Sequence, residues 1–244
     1  MDTGARQYEL YNLEQLIKES FSLIRNNIKV LMTIVSIPIV INLLLSSLNI
    51  GLKNKASFPS FLLQIAPIAV SLFTQIALIY ALNNLGEGQQ VDAGRSFETA
   101  FQKFLPYVWV VILMMLSIIG GFILLIVPGI IIAVLLSFSG TAFMLEDKRG
   151  PSALSRSKQL VRGNWWYVLG ISLGCALLYA LAIYLPFAIL VGILRLVSEE
   201  RNESFSVLMA IPSEIMQIPS VAVSLILFKN MRRVKDREMA APAI

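Results

Sequence analysis

Charged residues fall in clusters along this chain, and long apolar runs lie between them. The longest, residues 104–145, extends for forty-two positions without one charged side chain. As a single helix rising ~1.5 Å per residue it would reach roughly 63 Å, about twice the ~30 Å hydrocarbon core of a bilayer. Such a run must fold back on itself. Pro128-Gly129 marks the expected reversal, because proline presets φ for a turn and glycine accepts the positive φ that follows. The pattern therefore predicts two crossing helices, about 106–126 and 129–145, joined by a tight hairpin turn.

Further uncharged windows predict further crossings. The first runs over 30–50, the second over 61–82 and the fifth over 165–185, while the sixth ends at Phe228. Each reaches roughly the 17–25 residues a crossing needs. Lipid offers no partner to an open sheet edge, so the spans are helices. The expected fold is all-α: a polytopic membrane protein with six transmembrane helices. Pro186 is expected to end the fifth helix, leaving the apolar stretch 187–194 too short to cross. Residues 187–198 accordingly read as an interfacial segment on the outer side.

Charge sets the orientation. Residues 1–29 carry four basic side chains (Arg6, Lys18, Arg25, Lys29), and the 83–104 connection carries Arg95 and Lys103. The 146–164 connection holds five (Lys148, Arg149, Arg156, Lys158, Arg162), as does the tail (Lys229, Arg232, Arg233, Lys235, Arg237). Only Lys53, Lys55, Arg195 and Arg201 fall on the other side. Sixteen against four places both termini in the cytoplasm of an inner or plasma membrane, which requires an even number of crossings.

Composition narrows the chemistry. Of 244 residues 57% are hydrophobic and 14% charged, about half the usual charged share. The net charge of +5 belongs to the membrane flanks and implies anionic lipid headgroups as partners, not nucleic acid. Histidine is absent, which removes Ser-His-Asp and Cys-His nucleophiles and the usual His-bearing metal sites. No catalytic, cofactor-binding or metal-binding residue is nominated, and no cofactor is expected. Cys175 is the single cysteine, so no intramolecular disulfide forms, and its apolar setting reads as packing. No apolar h-region lies within the first 29 residues, so no cleavable signal is expected.

The connections carry their own pattern. Gly150-Pro151 opens a helix with proline at its first position, and Gly163 closes it at C′. Ala153, Leu154, Ser157, Leu160 and Val161 form one stripe, which predicts an interfacial helix turning Arg156, Lys158 and Arg162 to lipid phosphates. Leu16, Ile17, Ser20, Leu23 and Ile24 repeat the stripe before the first crossing, and Phe97, Phe101, Phe104 and Leu105 before the third. Ser20-x-x-Leu23-Ile24-Arg25-x-Asn27 also aligns in identity with Ser157-x-x-Leu160-Val161-Arg162-x-Asn164. Three repeats follow, each an interfacial amphipathic helix plus a transmembrane hairpin: about 9–82, 94–145 and 151–228. Together they make one integral membrane domain, 1–238, with a short tail, 239–244.

Few residues rise above structure. Trp165, Trp166 and Tyr167 are expected to anchor the fifth helix at headgroup level. Gly120-Gly121 suits a close helix approach or a bend, and Asn42, Gln64 and Gln75 suit interhelical hydrogen bonds. Glu214, between Pro212 and Pro219 with Gln217 one turn on, is the exception. An acid at membrane depth is a functional candidate for proton, cation or headgroup binding. The alternative is that the sixth crossing begins near Pro212 and leaves Glu214 at the outer interface.

A set of motifs adds a resemblance. Ile126-Val127-Pro128-Gly129-Ile130, Phe143-Met144-Leu145-Glu146 and Gly150-Pro151-x-Ala153-Leu154 are followed by Ser157-x-x-Leu160-Val161-x-Gly163-Asn164-Trp165-Trp166. These residues resemble the membrane domain attached to some glycerophosphoryl diester phosphodiesterases, and related six-helix membrane proteins of bacteria and archaea. The likeness is sharpest over 120–170, and the ending Leu225-Ile226-Leu227-Phe228-Lys229-Asn230-x-Arg232 suits it. The resemblance implies a stand-alone membrane module rather than the enzyme, whose activity lies in a separate soluble barrel with a His-bearing site. The expected role is therefore non-enzymatic, in membrane organisation or lipid handling. The alternative is a small transporter with Glu214 as the proton- or cation-coupling residue. Protein partners are not legible.

Overall fold

The computed structural model describes residues 10–52, 58–197 and 210–240. Every regular element among them is helical. In chain order these are α1 (Leu13–Asn26), α2 (Ile28–Leu52), α3 (Phe58–Gly86), α4 (Ala93–Leu124), α5 (Ile126–Leu135) and α6 (Ser139–Glu146). Then come α7 (Pro151–Val161), α8 (Trp165–Tyr179), a π-helical segment (Ala180–Tyr184), α9 (Leu185–Val197) and α10 (Ala210–Ala240). Six spans are long and apolar enough to cross a membrane: Ile28–Leu48, Phe61–Gly86, Ala93–Leu124, Ile126–Glu146, Trp165–Leu194 and Ile211–Arg237. Their large apolar side chains stand outward to an extent no water-soluble protein tolerates; Leu44, Leu116, Ile119, Ile123, Leu173 and Leu177 are all exposed. Lipid is the solvent for these faces.

Local chemistry explains most boundaries. Asn12 and Gln15 cap α1 reciprocally, each backbone N–H donating to the other's side-chain oxygen at 2.9 and 2.8 Å. Gly88, at φ +75°, closes α3: its N–H reaches Leu85 O and the Gln89 N–H reaches back to Asn84 O. Pro151 opens α7 and Gly163, at φ +93°, follows its end, both as the sequence predicts. Asn27 and Asn164 mark matching breaks. Asn27 donates to Ile24 O and accepts from the Leu31 N–H; Asn164 donates to Val161 O and accepts from the Val168 N–H.

Three expectations shift. The reversal after the third crossing falls at Leu125, whose extended backbone (φ −167°, ψ 157°) separates α4 from α5. Pro128 and Gly129 lie inside the first turn of α5 instead of forming the turn. Proline is tolerated there because the first N–H groups of a helix have no intrahelical partner. Secondly, Pro186 does not end the fifth helix. The π segment before it, with the Leu185 N–H bonded to Ala180 O, widens the turn, and α9 continues the crossing to Leu194. A wider turn relieves the clash between the proline ring and the carbonyl four residues earlier. Residues 187–197 are thus helix continuous with the fifth span, and 198 lies outside the described residues. Thirdly, the stripe before the third crossing is not a separate helix, because α4 runs unbroken from Ala93 through Pro106.

The chain divides into two compact units. One comprises residues 1–23, 103–175 and 222–244. Its interior includes Tyr107, Phe138, Phe143, Leu160, Val168 and Phe228, with Tyr107 edge-on to Phe143 and Phe138 edge-on to Phe228. The hairpin is antiparallel: Lys103 reaches Asp147, Tyr107 abuts Gly140, and Gly121 abuts Ile132 and Gly129. The other unit comprises 24–102 and 176–221. Leu31, Ile34, Val35, Ile76, Leu78, Leu82 and Ile218 are buried there, and Phe73 stacks on Phe97 at 6.0 Å.

Candidate functional site: a buried carboxylate at membrane depth

Glu214 lies within the sixth span and is only 2% exposed. Three neutral side chains meet its carboxylate. Asn42 Nδ2 of α2 donates to Oε1 at 2.7 Å, and Ser71 Oγ of α3 donates to the same oxygen at 3.0 Å. Gln217 Nε2, one turn along α10, donates to Oε2 at 2.6 Å. A helix brings Glu214 and Gln217 onto one face because they are three residues apart. Asn42 and Ser71 arrive from crossings 172 and 143 residues away in sequence.

Depth follows from counting along α2. Asn42 lies twelve residues beyond Val30, where charge ends, and ~1.5 Å per residue carries it about 18 Å into a ~30 Å core. Its partner Glu214 shares that depth. Among the described residues no ion pair reaches Glu214; the expected basic candidates Arg195 and Arg201 have no described side chains. A lone buried charge is costly in such a medium unless a proton or a cation neutralises it. Burial encloses Glu214 among the helices, so its carboxylate is not a water-exposed side chain. Sequence reasoning named Glu214, Gln217 and Asn42 but missed Ser71, an ordinary serine in an apolar helix with no distinguishing signal.

The other expected residues lie in the first unit. Arg156 turns not to open solvent but to Glu146, with Nε 2.7 Å from Oε2 and Nη2 3.0 Å from Oε1. This corrects its expected role as a phosphate contact. Both side chains are mostly buried, at 18% and 13% exposure, and Asp236 and Arg232 extend the network at 3.7 and 3.8 Å. The hydrogen bonds that Arg156 donates to Glu146 hold its guanidinium pKa above the ordinary value. Lys158 and Arg162 remain exposed. Ser157 lies on the buried face of α7, where its stripe placed it, but its partners were not legible: it accepts the Phe138 N–H at 3.1 Å and donates to Leu135 O at 2.7 Å, filling the break between α5 and α6. Trp165 and Trp166 stack 4.0 Å apart, Trp166 being 69% exposed, and the Tyr167 hydroxyl donates to Tyr11 O. Among the described residues no group of three or more His, Cys, Asp or Glu is placed to hold a metal.

Six helices long and apolar enough to cross a bilayer define a multi-pass α-helical membrane protein. The chain matches the family described as Domain of unknown function (DUF7847) over residues 92–231, more than half its length, and belongs to that family. No curated protein and no solved structure matches it. The family description makes no link with the phosphodiesterase membrane domain, so that resemblance rests on its motif residues alone.

Proposed function

We propose that this protein is a small non-enzymatic membrane transporter in which Glu214 is the proton- or cation-coupling group. One observation carries the reading: Glu214 is buried among three crossings, and among the described residues its carboxylate is held by the neutral groups of Asn42, Ser71 and Gln217. A structural acid at such depth is expected to have a fixed cationic partner; a coupling acid needs neutral hydrogen-bonding neighbours that tolerate both states. The proposal includes a cytoplasmic location for both termini, supported by the sixteen-to-four distribution of basic residues. It also includes the repeat, for which the matching breaks at Asn27 and Asn164 support the first and third units, while α4 runs unbroken through the second. Purified protein reconstituted in vesicles tests it. Glu214→Gln should leave the helical spectrum intact and abolish proton-linked flux, whereas unchanged flux would overturn the reading.

A second reading is lipid handling or membrane organisation. Lys158 favours it: this exposed cation stands at a groove of about 370 Å³ lined by Ser117, Ile132, Leu135, Leu136 and Leu154. Such a groove suits an acyl chain with its anionic headgroup at the lysine. Binding of the whole protein to anionic lipid, lost in Lys158→Glu with flux unaffected, would support this role.

A further inference from the structure

The Glu214 cluster contains one unmatched atom. Asn42 is 4% exposed and donates through Nδ2, yet its buried Oδ1 meets no hydrogen-bond donor among the described residues. Buried amide oxygens are ordinarily paired; here nothing described holds the Asn42 amide in this orientation through its oxygen, and the amide is free to turn over. The placement of its neighbours shows what that turn would bring together. Asn42 Nδ2 and Ser71 Oγ converge on the same oxygen, Glu214 Oε1, at 2.7 and 3.0 Å. Half a turn of the Asn42 amide exchanges its nitrogen for its oxygen, and rotation of the Ser71 hydroxyl presents a lone pair. Neither change moves the backbone. Three oxygens from three helices then face one point: a carboxylate, an amide carbonyl and a hydroxyl.

Hard oxygen ligands of this kind suit a small hard cation. Charge selects its valence. One carboxylate offsets one positive charge, whereas a divalent ion would leave an uncompensated charge in a low-dielectric setting. Gln217 keeps Oε2 engaged at 2.6 Å, so the carboxylate stays oriented while Oε1 serves the ion.

We propose that Glu214, Asn42 and Ser71 form a binding site for a dehydrated monovalent cation of sodium size, which competes with a proton for the carboxylate. The inference rests on Glu214 as coupling group and narrows what it couples to. The exchange balances: sodium binds the carboxylate, the carboxyl O–H bond breaks, and one proton leaves to water with no change in buried charge.

Thermal unfolding of the full chain in lipid nanodiscs tests it, in sodium, potassium or N-methyl-D-glucamine chloride at equal ionic strength. Sodium should raise the unfolding midpoint above both controls and release protons into weak buffer. The shift should vanish in Asn42→Ala, Ser71→Ala and Glu214→Gln. Agreement between Asn42→Ala and Ser71→Ala guards against a folding defect in either. Equal midpoints in all three salts, with an infrared carboxyl band that still titrates and is lost in Glu214→Gln, would overturn the cation site and leave the proton reading standing. A carboxyl band that never titrates, with equal midpoints, would overturn both. A sodium shift unchanged by the substitutions would also refute the site, by placing the ion elsewhere.

Discussion

The hydroxyl of Ser157 stands where the backbone opens at Phe138, accepting that residue's N–H at 3.1 Å and donating to Leu135 O at 2.7 Å. A break in a membrane-spanning helix exposes backbone groups that lipid cannot satisfy, so a side chain from α7 replaces the missing helical bonds. The short helix after the hairpin is thereby fastened to the fourth crossing.

Ser157→Ala should consequently destabilise the protein by ~1–3 kcal/mol, because the buried Phe138 N–H and the partly buried Leu135 carbonyl lose their partner. Ser47→Ala serves as a control: that exposed hydroxyl donates to Leu43 O of its own helix, and its loss should stay within about 0.5 kcal/mol. Equilibrium unfolding in mild detergent compares the two. Equal effects would remove Ser157 from the role described.

Arg156 and Glu146 form the second joint. Removing either partner leaves the other largely buried, and Arg156→Ala should cost ~3 kcal/mol. Arg156→Lys should recover little, since an ammonium cannot make two parallel bonds to the carboxylate. The pH dependence follows from the raised guanidinium pKa. Stability from a raised pKa is complete below the already strongly alkaline unfolded value and lost only as pH rises through the folded one. Alkaline unfolding scans from neutrality to mild base should show no loss attributable to Arg156, and wild type and Arg156→Ala should run parallel there.

Two adjacent glycines should respond in opposite ways. A Cβ at Gly121 would lie 3.0 Å from the Gly129 backbone, and one at Gly129 would lie 2.6 Å from the Phe122 ring. Gly121→Ala and Gly129→Ala should each cost ~1–3 kcal/mol through overpacking. Gly120 faces open space, and Gly120→Ala should be neutral or stabilise by up to ~1 kcal/mol through helix propensity. Melting temperatures of the three variants decide the matter.

The topology is tested by reporter fusions. Positions 54, 128 and 202 should report outside, and 88, 155 and 236 inside. An external C-terminus would contradict the orientation drawn from the basic residues and require an odd number of crossings.

The apolar spans were legible in the sequence because each depends on a local quantity. A helix satisfies its own backbone, so length and the absence of charge are enough to identify a crossing. The start of α7 at Pro151 and its end before Gly163 were legible for the same reason, since caps are set by neighbouring residues. What tertiary structure decided concerns groups distant along the chain. The hairpin turns at Leu125, with Gly121 and Gly129 in close approach, while Pro128 fits a helical first turn. Pro186 is carried inside the fifth span by the π segment at Ala180–Tyr184, a readjustment of backbone bonds that composition does not encode. Arg156 reaches Glu146 rather than a phosphate because α7 folds back on α6. Glu214 could be singled out as an acid in an apolar run, but only packing brings Asn42 and Ser71 to it from 172 and 143 residues away. Lipid as solvent selects helices from local sequence alone; the partners of a buried carboxylate depend on which helices meet.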